Sequence, residues 1–214
     1  MLLNNLLKRL LPLFILITVL SCSEKKEKIP LLDFENNTQV LDAVKKFYDK
    51  ETQIARGGLF DETGNQFIAA GKEINTSEEW GIKFTFLEKS GDELIPKYET
   101  ELLDGSFKEC FVDKIKFSSI DYDLIYYNSQ GYFMGSSGGE IFSYIVDFEN
   151  KQVYYAHLAV EAGSSISLFI SENTLNKELK DFFILTFKKD YPTFKIVEDD
   201  IVVDWLWIFL TVFE

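Results

Sequence analysis

The chain has 214 residues, with 22 Lys and Arg against 35 Asp and Glu and a single His, a formal charge of −13. So acidic a chain is repelled by polyanions, which excludes nucleic-acid binding through the usual neutralisation of phosphates by Lys and Arg. With 46 % apolar residues and 20 Phe it can bury a core the size of one domain, which excludes a disordered tether.

The N-terminus opens with a short basic region at Lys8 and Arg9, followed by an apolar run from Leu10 to Leu20 and then Ser21-Cys22. That layout is a secretory signal with its cut after a small residue. The run falls short of the ~20 residues a helix needs to cross a hydrocarbon core. Val19-Leu20-Ser21-Cys22 resembles the lipobox of bacterial lipoproteins. The resemblance implies cleavage between Ser21 and Cys22, lipid on Cys22 and attachment to a membrane of the cell envelope, inner or outer. Loss of 1–21 removes Lys8 and Arg9 and no acid, so 22 basic residues become 20 against 35 acidic and −13 becomes −15. Acidity of this size suits solubility and a basic protein partner.

Residues 22–37 form a tether whose charged start, Ser23-Glu24-Lys25-Lys26-Glu27-Lys28, has nothing to bury. The body follows as a single domain over 38–214. Val40, Leu41, Val44, Phe47 and Tyr48 make one apolar stripe and predict a helix over 38–52, capped by Asn37 or Thr38 and ended by Gly57-Gly58. Beyond it the pattern turns to period two. Ile82, Phe84 and Phe86 alternate with Lys83 and Thr85, and short strands are predicted at 114–117, 123–127 and 132–134.

The strongest strand signal is 140–160. With Asn150-Lys151 as a two-residue turn, Phe148 faces Val153, Val146 faces Tyr155, Tyr144 faces His157 and Phe142 faces Ala159. Both faces of that hairpin are apolar, which places it in the middle of a sheet covered on at least one side. A strand at 167–170 pairs back. A second helix is predicted over 174–189, with Leu175, Leu179, Phe182, Phe183 and Thr186 as its stripe, Asn173 as its cap and Pro192 beyond its end. A further strand is drawn over 194–197. The apolar tail 201–213 holds Asp204 and is too short to span a membrane. It reads as a buried strand or docked helix, as a membrane-surface contact, or as a disordered, sticky end. The class is α+β: an antiparallel sheet with an N-terminal and a C-terminal helix packed on it.

Gly135-Ser136-Ser137-Gly138-Gly139 matches G-x-S-x-G, and Asp147 and His157 follow in the order of a hydrolase triad. An elbow serine must lead from strand into helix, whereas strand residues follow here, and Asp147 and His157 fall on opposite faces of one hairpin. A glycine-rich turn is the reading. One His and, beyond Cys22, one thiol, Cys110, cannot furnish a zinc site. Cys110 reads as a buried structural thiol, and His157 as a core or half-buried residue. Glu198, Asp199, Asp200 and Asp204, like Asp121 and Asp123, lack the spacing of a calcium loop and read as solvated charge. Nothing calls for a cofactor.

Gly138-Gly139-Glu140, the aromatic strand after it, Asp147 to Tyr154 and a helix ending near Phe183 resemble the second half of the SMI1/KNR4-like fold over about 131–187. Many members of that family are immunity proteins that neutralise toxins. The resemblance implies a binding protein with no catalytic residues to carry over. The family's N-terminal half finds only Ile95-Pro96-Lys97-Tyr98 here. The expected function is thus an anchored envelope protein with a non-catalytic domain that binds a macromolecule. Toxin immunity is one form of it, and a carboxylate enzyme acting on an envelope polymer is the competing class.

Overall fold

The computed structural model describes residues 28–108, 110–129, 138–161 and 166–192. The signal segment, Ser21, Cys22, Ser136, Ser137, the strands expected at 132–134 and 194–197 and the tail 201–213 lie outside these. The chain divides between Pro30 and Leu31, and from Leu31 on it is one compact unit. That unit starts earlier than the tether's expected end at residue 37. Leu32 is buried, Asp33 and Asn36 close a turn, and Glu35 pairs with Lys114 at 2.8 Å.

Helix α1 is Asn37–Phe47, with Val40, Ala43 and Val44 buried and its contacts mainly with the first strand. Its cap is Asn36, whose Oδ1 accepts from the Gln39 N–H at 3.2 Å, one residue before the expected cap. The helix stops short of 52 because the N–H groups of Tyr48 and Asp49 both turn back to the Val44 carbonyl.

Two antiparallel sheets follow. The first is β1 (Ile54–Phe60), β2 (Gln66–Asn75), β3 (Trp80–Ser90) and β4 (Glu93–Glu99), in that order. Gly57-Gly58 does not end a helix. It sits inside β1, where the register shifts between Arg56 and Leu59 and Gly58 adopts φ +68, the backbone of a bulge. A Cβ at Gly57 would lie 2.5 Å from the Phe34 carbonyl oxygen, so only glycine fits there. Pro96 falls on β4, an edge strand, where a missing N–H is tolerated.

The second sheet is β5 (Cys110–Ile115), β6 (Leu124–Ser129), β7 (Gly138–Asp147), β8 (Gln152–Glu161) and β9 (Ile166–Ile170), again in chain order. The predicted hairpin is β7–β8, and β7 is the central strand. Its register differs by two residues from the expected one: Val146 faces Val153, Tyr144 faces Tyr155 and Phe142 faces His157. A two-residue turn of type I′ needs φ > 0 at both central positions and one of type II′ favours Gly at the first, so neither suits Asn-Lys as it suits Asn-Gly. The chain instead makes a four-residue loop, 148–151, in which only Lys151 has positive φ (54°) and the Asp147 carboxylate accepts from the Asn150 N–H at 2.9 Å. A shift of two leaves every side chain on its expected face.

Instead of one sheet, the inner faces of two pack together. Phe67, Ile82, Phe84 and Phe86 from the first share a core with Ile125, Tyr127, Tyr144 and Val146 from the second. The other face of the second sheet clusters with helix α2 (Lys177–Asp190) through Leu179, Phe183 and Phe187. This helix begins later than the expected 174. Asn173 is not its cap, because its side-chain amide donates to the Val153 carbonyl at 3.0 Å. Asn176 caps instead, accepting from the Glu178 N–H at 2.9 Å. Leu175 lies before the helix and is exposed. The α+β class stands, with strands dominant.

Candidate functional site

A concave site opens among the described residues where the two sheets meet, a cleft of about 520 Å³, within the usual size of small-molecule pockets. Its first wall is the segment after β4. Thr100 donates its N–H to the Phe84 carbonyl at 2.9 Å, and Leu103 exchanges two backbone hydrogen bonds of 2.8 Å with Ile82, which fixes Glu101, Leu102, Leu103 and Asp104 against β3. Its second wall is the turn after β9. The Ser171 N–H donates to the Tyr155 carbonyl at 2.8 Å, and the Ser171 hydroxyl accepts from the Tyr155 N–H at 3.0 Å. Asn173 adds its bond to Val153. Glu172, between these two bonded residues, is exposed and lines the cleft together with Glu101 and Asp104.

The floor comes from the inner face of β7 and β8. Tyr144 and Tyr155 lie with ring centroids 5.1 Å apart, beside Val153 and the buried Leu103. The Tyr144 hydroxyl donates to Asp104 Oδ2 at 3.2 Å and accepts from the Asp104 N–H at 3.0 Å, a closed ring that orients the carboxylate. Burial first, and Asp104 second, push the Tyr144 phenol far above its ordinary value. Tyr155 is raised by burial and then by Asp104 and Glu140. Neither tyrosine ionises near neutrality. The negative charge of Asp104 is felt at both rings, so the cleft carries a negative potential over an aromatic floor.

The same face continues into a stack of rings. His157 lies 4.8 Å from Phe142, centroid to centroid and nearly parallel, and 5.8 Å from Phe169. It is thus half-buried among aromatics, as expected. Its Nε2 is enclosed without a hydrogen-bond partner among the described residues, and Glu140 Oε1 at 3.6 Å is beyond hydrogen-bond reach. Burial therefore prevails over Glu140 and Asp104 and lowers the His157 pKa below its ordinary 6.5. The unfolded chain then takes up this proton at higher pH than the folded one. The neutral imidazole favours the fold fully above about pH 6.5, and that contribution is lost as the pH falls below it. His157→Phe, which keeps the ring stack, should flatten the fall in urea-unfolding free energy between pH 7 and 5. Equal slopes for the two proteins would show that this imidazole is not a source of the acid sensitivity.

The other residues singled out in the sequence do not converge. Gly138 and Gly139 open a strand, not a helix, contrary to a nucleophile elbow. Asp147 faces away from His157 and accepts from Tyr122 at 3.0 Å and from the Asn150 side chain at 3.0 Å. Cys110 is half-buried rather than buried. Its thiol donates to the Phe107 carbonyl at 3.6 Å, and burial raises its pKa, so it is no ready nucleophile. Asp123 is structural, its carboxylate accepting from the Phe60 N–H at 2.9 Å. Among the described residues no group of three His, Cys, Asp or Glu could hold a metal ion.

The sequence reading missed the cleft acids. Asp104-Gly105 has the composition of a turn, and nothing in the sequence marks Glu101 or Glu172 out from the other acids. The one available signal was Tyr144 and Tyr155 on a shared face. Compared with family models, curated proteins and solved structures, the chain matches none.

Proposed function

We propose that this chain is a bacterial envelope lipoprotein, anchored by lipid on Cys22, whose body binds a basic protein partner without catalysis. The observation that carries the binding half is the cleft itself: preformed, concave, floored by Tyr144 and Tyr155 and rimmed by Glu101, Asp104 and Glu172. Concave aromatic sites with a few convergent polar groups are where proteins take ligands. Opposite charge on the partner would chiefly speed encounter. A toxin with a basic surface falls within this reading. The anchoring half rests on the Val19-Leu20-Ser21-Cys22 junction after a short apolar core.

The experiment has two arms. Cys22→Ala should leave the precursor uncleaved and unlabelled by a fatty-acid analogue, and acylation of the variant at the wild-type level would refute the anchor. Pull-down of the wild-type chain from solubilised membranes should recover a basic protein. Capture of none, or of a partner as acidic as this chain, would refute the binding reading.

A second reading has its own observation. Glu101, Asp104 and Glu172 share one cleft, and paired carboxylates are the machinery of glycoside hydrolysis. Release of soluble fragments from purified cell-wall polymer by wild type, lost in Asp104→Asn, would favour that enzyme over a binding protein.

A further inference from the structure

We infer that the cleft is a receptor for a long aliphatic cation, the side chain of an arginine or lysine presented by the protein partner. The inference rests on the binding reading above and specifies what enters the site. It stands on how polarity is divided within the cavity. The floor is apolar and aromatic and withdrawn from solvent: Leu103 and Tyr144 are buried, Val153 and Tyr155 half-buried. The acids sit at the exposed lip, Glu101 and Asp104 on one wall and Glu172 on the other.

An inorganic cation needs oxygens on every side, which an apolar floor does not supply. A lysine or arginine side chain has the matching division, an apolar stem of three or four methylenes under a charged head. Laid along the cleft, its stem would cover the floor while its head meets the rim carboxylates, and tyrosine ring faces attract cations further. Among the described residues no basic side chain lines the cleft, so the acids there are not neutralised by a lysine or arginine of the cleft itself. Asp104 is also preorganised, because Tyr144 holds its Oδ2 from one side and its own N–H closes the ring. That lowers the ordering cost of binding a charged head. The volume of about 520 Å³ exceeds one side chain and admits the flanking backbone of a peptide segment.

The test uses the full chain in detergent and a dye-labelled peptide carrying four arginines separated by Gly-Ser, read by anisotropy. Its counterpart carries citrulline, which keeps the shape and removes the charge. The cleft variant combines Glu101→Gln, Asp104→Asn and Glu172→Gln. The amide oxygen of the Asp104→Asn side chain can still accept from Tyr144, and the other two positions are exposed, so the fold should hold. A control variant removes the same charge elsewhere, through Asp42→Asn, Glu78→Gln and Glu79→Gln, all on the outside of the fold.

The arginine peptide should bind wild type at least tenfold more tightly than the citrulline peptide. The cleft variant should lose tenfold or more, and the control variant less than twofold. Should the triple variant fail to fold, Glu101→Gln and Glu172→Gln alone should each lose about threefold. Equal losses in the cleft and control variants would mean net charge alone and overturn the inference, as would no loss in either. Spermidine binding the wild-type cleft more tightly than the peptide would also overturn it, in favour of a free polyamine. A partner recovered from membranes whose affinity ignores the cleft variant would refute this inference and leave the binding function standing. Recovery of no partner would refute the function itself.

Discussion

Val146→Asp should abolish the cooperative fold at pH 7.5. Val146 is fully buried on the inner face of β7, between the sheets, where its cross-strand partners are Ile125 and Val153. The residues packed around it form a hydrophobic cluster, in which a carboxylate would lose its hydration. Buried carboxylates respond by raising their pKa by up to 3–5 units. At ~1.4 kcal/mol per unit, holding the group neutral at pH 7.5 costs at least ~4 kcal/mol, before any loss of packing. A domain has only ~5–15 kcal/mol in total. Val146→Thr separates charge from shape, since it keeps the branched volume and adds one hydroxyl, at ~1–3 kcal/mol. The expected result is a flat near-ultraviolet spectrum and no urea transition for the aspartate variant, beside a shifted but cooperative transition for threonine. A native-like transition in Val146→Asp at pH 7.5 would mean that the space between the sheets is open to water.

That valine was placed correctly by alternation alone, and the reason marks how far such reading extends. Period two assigns faces, and an error of two residues in the turn does not disturb them. Phe142, Tyr144 and Val146 therefore lie where the pattern put them although the register of β7–β8 was displaced. Alternation does not say which sheet covers a face. Ile82, Phe84 and Phe86 were legible as one side of a strand, but their partners, Ile125, Tyr127 and Tyr144, stand 39 or more residues further on. Only the three-dimensional packing shows two sheets instead of one. Helix ends failed for a related reason. Asn173 and Asn176 are equally good caps by type, and the choice went to Asn176 because Asn173 is committed to β8. Strand β1 was hidden by Gly57-Gly58, which is a terminator by composition and a bulge in place.

The cleft was less legible than the core. Its floor was visible as a face, its acids were not, because Glu101, Asp104 and Glu172 lie on two turns separated by about 70 residues and belong to no periodic element. With 35 acidic residues in the chain, no three could be chosen by type. What selects them is backbone bonding, Leu103 to Ile82 on one wall and Ser171 to Tyr155 on the other. The proposed lipidation of Cys22, by contrast, rests on four consecutive residues and an apolar run. Local signals survive in the sequence, and assembled sites do not.

Gly105→Ala tests that assembly at its tightest point and should destabilise the chain by ~3 kcal/mol while disabling the cleft. Gly105 follows Asp104 directly and adopts φ +120, a region L-residues enter at a cost of ~1–3 kcal/mol. A Cβ there would stand 2.2 Å from the Tyr127 hydroxyl oxygen and 3.0 Å from Ser129 Cβ. Tyr127 cannot retreat. It is fully buried, its hydroxyl donates to the Ser106 carbonyl at 3.2 Å, and its ring stacks 6.0 Å from Tyr144. Forcing an atom into such packing adds ~1–3 kcal/mol. The push would pass from Tyr127 to Tyr144, and so to the bond that orients Asp104. Gly64→Ala isolates the backbone part, because Gly64 also has positive φ (84°) but meets nothing within 4 Å. It should cost ~1 kcal/mol and leave the cleft untouched. Urea unfolding of both variants, with anisotropy of the arginine peptide, reads the two effects separately. Equal losses of stability at the two glycines would mean that conformation alone sets the cost, and full peptide binding by Gly105→Ala would break the link from Tyr127 through Tyr144 to Asp104.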